Sequence, residues 1–360
     1  MSPFPRDDYR ALTRYEPGRS PVEVDLSDNT NLWGTHPEAL ERIRSATPDD
    51  LARYPELYAA VLGSAVAERY DIDPACVTTG AGSDDVLDSA FRAAAGRDAW
   101  ISYAAPTFSM VEPLALMNGM EARPVPWAHA VEAPEALLEG EPALVYVCRP
   151  NNPTGESAPV GWLDALLTAR GAGAYAPLVV LDEAYADFAE DTLIRRGAEV
   201  PGLLVARTAS KAYGLAGLRC GFGVATPDTA LEIDKSRGPY KVAGLAAEAV
   251  AAAVRDRSGW MAGRIVEAKE ARARLRDALE ARALRPFPSQ ANFILFRAPS
   301  GSAAADVGAL RRHGVGVRPF TGIPGMGDAL RVTVGPWPLM ERFLRALDAL
   351  LHDEGGRLSS

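Results

Sequence analysis

Four short stretches of this chain carry residue types that can do chemistry. The first is Arg207-Thr-Ala-Ser-Lys-Ala-Tyr-Gly-Leu-Ala-Gly-Leu-Arg219, with Lys211 behind Ser210. A lysine acts as a nucleophile only when neutral, so burial or a cationic neighbour must depress its pKa. Arg219 can supply such a charge, together with a bidentate phosphate contact. A solvated loop lysine is the plain alternative. The second stretch is Val179-Val-Leu-Asp-Glu-Ala-Tyr185. Asp182 ends an apolar run, where a carboxylate can pair with a protonated pyridine nitrogen and keep the ring an electron sink. Tyr185 can donate to a ring oxygen. A Mg²⁺ carboxylate or a structural aspartate would look the same, although the first needs a phosphate loop of the Gly-x-x-x-x-Gly-Lys-Ser/Thr kind, which is absent. The third, Thr79-Gly-Ala-Gly-Ser-Asp-Asp85, sets Gly80 and Gly82 before a helix, where N–H groups can close on a phosphate or simply make a turn. The fourth, Arg149-Pro-Asn-Asn-Pro-Thr-Gly155, offers the Asn152 amide or an ordinary Pro/Asn/Gly turn. Each is ambiguous alone; their order, each at a strand end, is what ties them together.

The elements that must hold these stretches follow from hydrophobic pattern. Near-continuous apolar runs at Trp100–Ser102, Ala143–Cys148, Leu178–Leu181, Leu203–Arg207 and Gly221–Ala225 predict strands covered on both faces. Amphipathic stretches lie between them; Asp84–Ala95 places Val86, Leu87, Ala90, Phe91 and Ala94 at helical spacing. Strands alternating with helices predict a mainly parallel α/β sheet. Beyond about residue 235 the pattern changes. Leu245 to Leu279 reads as one or two long helices, followed by strands at Asn292–Arg297, Val315–Arg318 and Leu330–Val334 and a helix near Leu339–Leu351. The expected organisation is an arm over 1–30, a large domain over 31–240 and a smaller α+β domain over 241–360.

Composition bounds the function. The net charge of -9 argues against a nucleic-acid partner. The four histidines show no metal-ligand spacing, and Cys76, Cys148 and Cys220 are far apart and read as buried free thiols in a reducing compartment. No run approaches the ~18 apolar residues of a membrane span, and the start of the chain does not read as a signal peptide. The expected location is cytoplasmic.

Taken together, the stretches resemble the fold-type I pyridoxal-phosphate (PLP) enzymes of the class I/II aminotransferases, and most the histidinol-phosphate aminotransferase branch. Arg53-Tyr-Pro-Glu56, Pro106-Thr-Phe-Ser-Met110, Pro288-Ser-Gln-Ala-Asn-Phe293 and Leu330-Arg-Val-Thr-Val-Gly335 add to the likeness, which runs from about Leu26 to Leu351. The resemblance implies a seven-stranded-type, mainly parallel sheet and a homodimer. It implies Lys211 as the Schiff-base lysine, Asp182 at the pyridine nitrogen, and Asn152 and Tyr185 at O3′. It gathers Ala81, Gly82, Thr208, Ser210 and Arg219 at the cofactor phosphate and stacks Phe108 on the ring. It also has Tyr54 reaching the partner subunit's site.

On the substrate side the resemblance implies Arg331 gripping a carboxylate or phosphate, Arg318 as a second arginine, Asn152 beside them, and Tyr15 meeting a substrate phosphate from the arm. Substrates would be a small-molecule amine and a 2-oxo acid: histidinol phosphate and 2-oxoglutarate. The rivals are an aromatic amino-acid aminotransferase, or a decarboxylase or oxidase on the same fold. Thr30, Arg149, Gly238 and Pro319 depart from the family's usual residues, and these departures are expected to lie on the substrate side.

Overall fold

The computed structural model describes residues 4–5, 9–10, 12–14, 21–173 and 176–357. Tyr15 lies outside the described residues. Twelve strands appear among those described: β1 Val24–Asp25, β2 Val77–Gly80, β3 Trp100–Ala105, β4 Glu121–Pro126, β5 Leu144–Cys148, β6 Leu178–Asp182, β7 Leu203–Thr208, β8 Gly221–Val224, β9 Phe293–Arg297, β10 Val315–Gly316, β11 Arg318–Ile323 and β12 Gly327–Thr333.

Seven strands form one sheet in the order β2-β8-β7-β6-β5-β3-β4. Only β8 runs against its neighbours within it, so the sheet is mainly parallel, as expected. Its central strands bury both faces. Val145, Val147, Val179, Leu181, Leu203 and Val205 pack against the helices Ala60–Tyr70, Trp162–Arg170 and Gly244–Arg255. Leu144, Tyr146, Val180, Leu204 and Ala206 face the other way, toward the helices Ser83–Ala94 and Val111–Met117. This period-2 alternation between two apolar layers explains why the strands read as unbroken apolar runs. Pairing in register puts Cys148, Asp182 and Ala206 side by side at the carboxyl ends of three adjacent parallel strands, where open α/β sheets bind their ligands.

A second sheet, β11-β12-β9, is antiparallel, and β1 pairs in parallel with β10. Their residues share a core with Leu275 and Leu279 of the helix Trp260–Glu280 and with Phe343 and Leu347 of the helix Trp337–Arg357. The apolar stretch after residue 244 is therefore two helices, and they serve different layers. Gly244–Arg255 joins the large sheet's core, whereas the buried residues of Trp260–Glu280 mostly join the smaller one. The strand expected over Val315–Arg318 divides at Val317: Val315 and Gly316 pair with β1, and Arg318 begins β11, opposite Arg331. The cysteines Cys76, Cys148 and Cys220 are buried and free.

Candidate active site

A cavity of about 640 Å³ opens at the carboxyl edge of the large sheet. Lys211 and Ser210, just past β7, line it with Asp182, Tyr185, Phe108, Asn152, Thr208 and Arg219. An adjoining cavity of about 410 Å³ shares Phe108, Asn152, Tyr185 and Lys211 and adds Arg318 and Arg331 from the paired strands β11 and β12. Sequence motifs scattered over some 220 residues thus meet in one place.

Lys211 is partly buried, and its Nζ donates to the carbonyl of Asp28 at 3.0 Å. Burial, then the positive field of Arg331, lowers its pKa to about 8, against the pull of Asp84 and Asp28. A sizeable neutral fraction therefore exists near neutral pH, as nucleophilic chemistry requires. In the cofactor-free protein, Lys211 should react with an amine-directed reagent with a midpoint near pH 8, where an ordinary lysine needs about 10.4. Peptide mapping across a pH series checks this, and a midpoint at the ordinary value would remove the depressed amine.

Asp182 is buried at the end of β6, and burial, the largest influence, raises its pKa to about 6. Its Oδ2 accepts from the Tyr146 hydroxyl at 2.8 Å and its Oδ1 from the Ala184 N–H at 3.0 Å, both neutral donors. A buried carboxylate without a cationic partner costs stability, and a ligand cation would relieve that cost. Tyr185 is also buried, which pushes its hydroxyl up to about 12, and its oxygen accepts from Asn29 Nδ2 at 3.0 Å.

The opposite end of the cavity is built for an anion. Thr208 Oγ1 donates to Ser210 Oγ at 2.9 Å, and an Arg219 Nη approaches the same oxygen at 3.4 Å. Gly82, at φ +90°, precedes the helix Ser83–Ala94; a Cβ there would sit 2.6 Å from Arg219 Nη2. The amides of Ala81 and Gly82 are occupied, by Asp85 Oδ2 and by the carbonyl of Gly80. Neither residue lines the cavity; Ser83 and Asp84 of the helix's first turn do. An acidic ring-nitrogen partner, a depressed lysine, and hydroxyls with an arginine at a helix start form a donor set that fits PLP.

Arg331 donates to Asn152 Oδ1 and, at 2.8 Å, to the carbonyl of Ser27, and its guanidinium lies 5.2 Å from the Phe293 ring and 5.3 Å from that of Phe320. Among the expected departures, Thr30 and Pro319 line the cavities. Arg149 and Gly238 do not. Arg149 is buried against Asp191 and the carbonyl of Ala158, so it stands as a structural cation and not on the substrate side. Tyr54 is 84% exposed, stacked on Tyr240 at 5.0 Å between ring centroids and away from both cavities. Sequence reasoning missed Asn29, which is buried and ties Tyr185 to Thr333 and Asn292. It also missed Asp28, Ser83, Asp84 and Tyr146. Asn29 had a signal, since it stands directly before Thr30, one of the departures from the family's usual residues; Tyr146 had none.

Residues 21–347 match the family of class I and II aminotransferases. A histidinol-phosphate aminotransferase of Pseudomonas aeruginosa is 38% identical, over 92% of this chain and 90% of that protein. An aromatic amino acid aminotransferase of Streptomyces coelicolor is 32% identical, over 96% of each chain. The crystal structure of histidinol-phosphate aminotransferase from Sinorhizobium meliloti in complex with pyridoxal 5'-phosphate superposes with a TM-score of 0.84 at 25% identity, covering 98% of this chain and 99% of that one.

Proposed function

This chain belongs to the class I and II aminotransferases, PLP-dependent transaminases, and from that premise we propose that it transfers the amino group of histidinol phosphate to 2-oxoglutarate in histidine biosynthesis. The products are imidazole acetol phosphate and glutamate. The observation that carries this reading is the pair Arg318 and Arg331, opposite each other in register beside Lys211. One guanidinium fork can take the phosphate of one substrate and the carboxylate of the other.

Bound PLP supplies an aldehyde carbon for the substrate amine and a ring that spreads the electron pair left at Cα. Lys211 Nζ would hold the aldehyde carbon and, as a free amine, would move a proton between the substrate Cα and the carbon across the nitrogen from it. Asp182 holds the proton on the ring nitrogen. Asn152 and Tyr185 orient the ring oxygen, and Phe108 packs on the ring face. Thr208, Ser210 and Arg219 anchor the phosphate, with Ala81 and Gly82 shaping the turn behind it. Tyr54 reaches the site of a second copy in a homodimer, and Tyr15 meets the substrate phosphate. For the domains, we place the second boundary after Arg255 and not at 240, because Gly244–Arg255 packs under the large sheet. Among the described residues no helix is long and apolar enough to cross a membrane; a cytoplasmic location is part of this proposal.

The test is kcat/KM for histidinol phosphate against phenylalanine. The Streptomyces relative and the aromatic side chains Phe108 and Phe320 at the cavity favour an aromatic substrate as the second reading; a wild-type preference for phenylalanine would make it the first. Arg331→Ala should lower kcat/KM for histidinol phosphate and for glutamate alike, each by roughly 10–150-fold, the worth of a hydrogen bond to a charged group. A loss confined to one substrate would break the shared-fork argument. Tyr54→Ala should leave cofactor retention weakened at dimer-forming concentrations, read by dialysis and sedimentation; a wild-type monomer would remove Tyr54 from the site.

A further inference from the structure

Tyr146 sits in the middle of β5, fully buried, with its ring 6.5 Å from that of Phe91. Packing alone would be met by phenylalanine. A hydroxyl taken into the core costs free energy unless it is bonded, and this one donates to Asp182 Oδ2 at 2.8 Å. The pairing of β5 with β6 makes that contact. Cys148 stands beside Asp182, and Tyr146, two residues back, projects from the same face of the sheet. With the Ala184 N–H on the other oxygen at 3.0 Å, the carboxylate is held at both ends by neutral donors.

We propose that Tyr146 is a positioning residue: its hydroxyl fixes the orientation of the Asp182 carboxylate and keeps it ionised for the ring nitrogen it would pair with. This rests on the role given to Asp182 above. The groups around the carboxylate make the need plain. Asp84 from the helix Ser83–Ala94 and Glu183, next in the chain, both oppose its charge, as burial does most strongly. Cys148 on β5, Tyr185 beyond β6 and Lys211 beyond β7 complete the surroundings. Against these, the Tyr146 hydrogen bond is the foremost influence favouring the carboxylate. Burial and the Asp182 charge hold the phenol's own proton well above its ordinary range, so Tyr146 stays a donor at any working pH. Without that donor the carboxylate becomes the stronger base. The one proton shared with a bound ring nitrogen would then rest on Asp182, and the ring would lose its positive charge.

The experiment uses full-length protein labelled with carboxyl-¹³C aspartate, with the Asp182 resonance assigned by its loss in Asp182→Asn. In the cofactor-free Tyr146→Phe variant the Asp182 midpoint should rise by about one to two pH units, the scale of a lost hydrogen bond to a charge. In the loaded enzyme kcat should fall roughly tenfold with KM for the amine nearly unchanged, and the pH at which the visible absorbance changes should move. An unmoved Asp182 midpoint overturns the proposal, whatever happens to activity. Should Tyr146→Phe fail to fold, 3,5-difluorotyrosine at position 146 keeps the shape and strengthens the donor. It must then lower the midpoint, and an unchanged or raised one overturns the proposal. Because the titration is read without cofactor, it is separate from the assignment of Asp182 to the ring nitrogen, which near-normal turnover of Asp182→Asn would sink instead.

Discussion

Lys211→Ala should lose turnover by at least about 10²–10⁴, the contribution of a positioned proton-transfer group, while still folding and still retaining PLP. Lys211 is the amine that lines the cavity, its pKa is depressed to about 8, and its Nζ is held toward the site by the carbonyl of Asp28. Alanine removes the base and leaves the anion-binding hydroxyls of Thr208 and Ser210 and the Arg219 guanidinium in place. It also leaves room where three methylenes and an amine stood, so a small amine such as methylamine should restore part of the lost rate, increasingly above pH 8. Kinetics with and without the added amine check this. Undiminished turnover in Lys211→Ala would assign the chemistry to another lysine, and rescue by amine would not then be seen.

The second large effect separates activity from stability. Asp182→Asn should cost roughly 10²–10³ in rate, on the scale of one misplaced electrostatic element in an active site. The same change should stabilise the cofactor-free protein at pH 7. The folded-state pKa of Asp182 is raised to about 6 from the ordinary aspartate value of 3.8. A carboxyl with a raised folded pKa contributes its full stability only below the unfolded value, and that contribution is lost as pH rises to about 6. Two pH units correspond to about 3 kcal/mol. Asparagine is never charged; its oxygen can keep the Ala184 N–H, and its amide can turn toward the Tyr146 hydroxyl. The stability gap between variant and wild type should therefore open between about pH 4 and 6 and stay level above. Denaturant melts of both proteins without cofactor, across that range, decide the point; a gap that does not depend on pH would mean the burial cost is carried elsewhere.

Where the sequence was legible, the reason is physical. β3, β5, β6, β7 and β8 are apolar runs because both their faces are covered, and the motifs that follow β6 and β7 lie next to their strands in the chain. Lys211, Asp182, Tyr185 and Arg219 could be placed at one edge for that reason. The elements missed are those whose pattern tertiary context supplies. β4, Glu-Ala-Arg-Pro-Val-Pro, is a sheet-edge strand with two prolines and exposed charges, tolerated only because it pairs on one side. β1, with two residues, is too short for any period to register, and β2, Val-Thr-Thr-Gly, has no apolar run. Among site residues, Tyr146 reads as one more apolar position of a buried strand, and its partner is 36 positions away. Asn29 meets Tyr185 across 156 positions and Thr333 across 304. Arg149 errs in the other direction. It follows a strand end within a site motif, yet its charge is spent on Asp191 behind the cavity.

The pairing of β1 with β10, Val24 against Val315, has a consequence for how the protein is made. Asp28 and Asn29 belong to the wall around Lys211, and Asn29 is held there by residues synthesised late: Thr333 of β12 and Asn292, just before β9, bond to it. The seven-stranded sheet, complete by Val224, can assemble while the ribosome is still adding the smaller sheet. At about 5–20 residues per second there is an interval in which a folded large sheet presents a lysine pocket with one side open to water. Loop closure over nearly 300 residues must follow before the pocket is shut. Acquisition of the cofactor in its final, enclosed form is thus a step that translation must finish before it can occur, and nascent chains stalled short of β12 would hold PLP loosely or not at all.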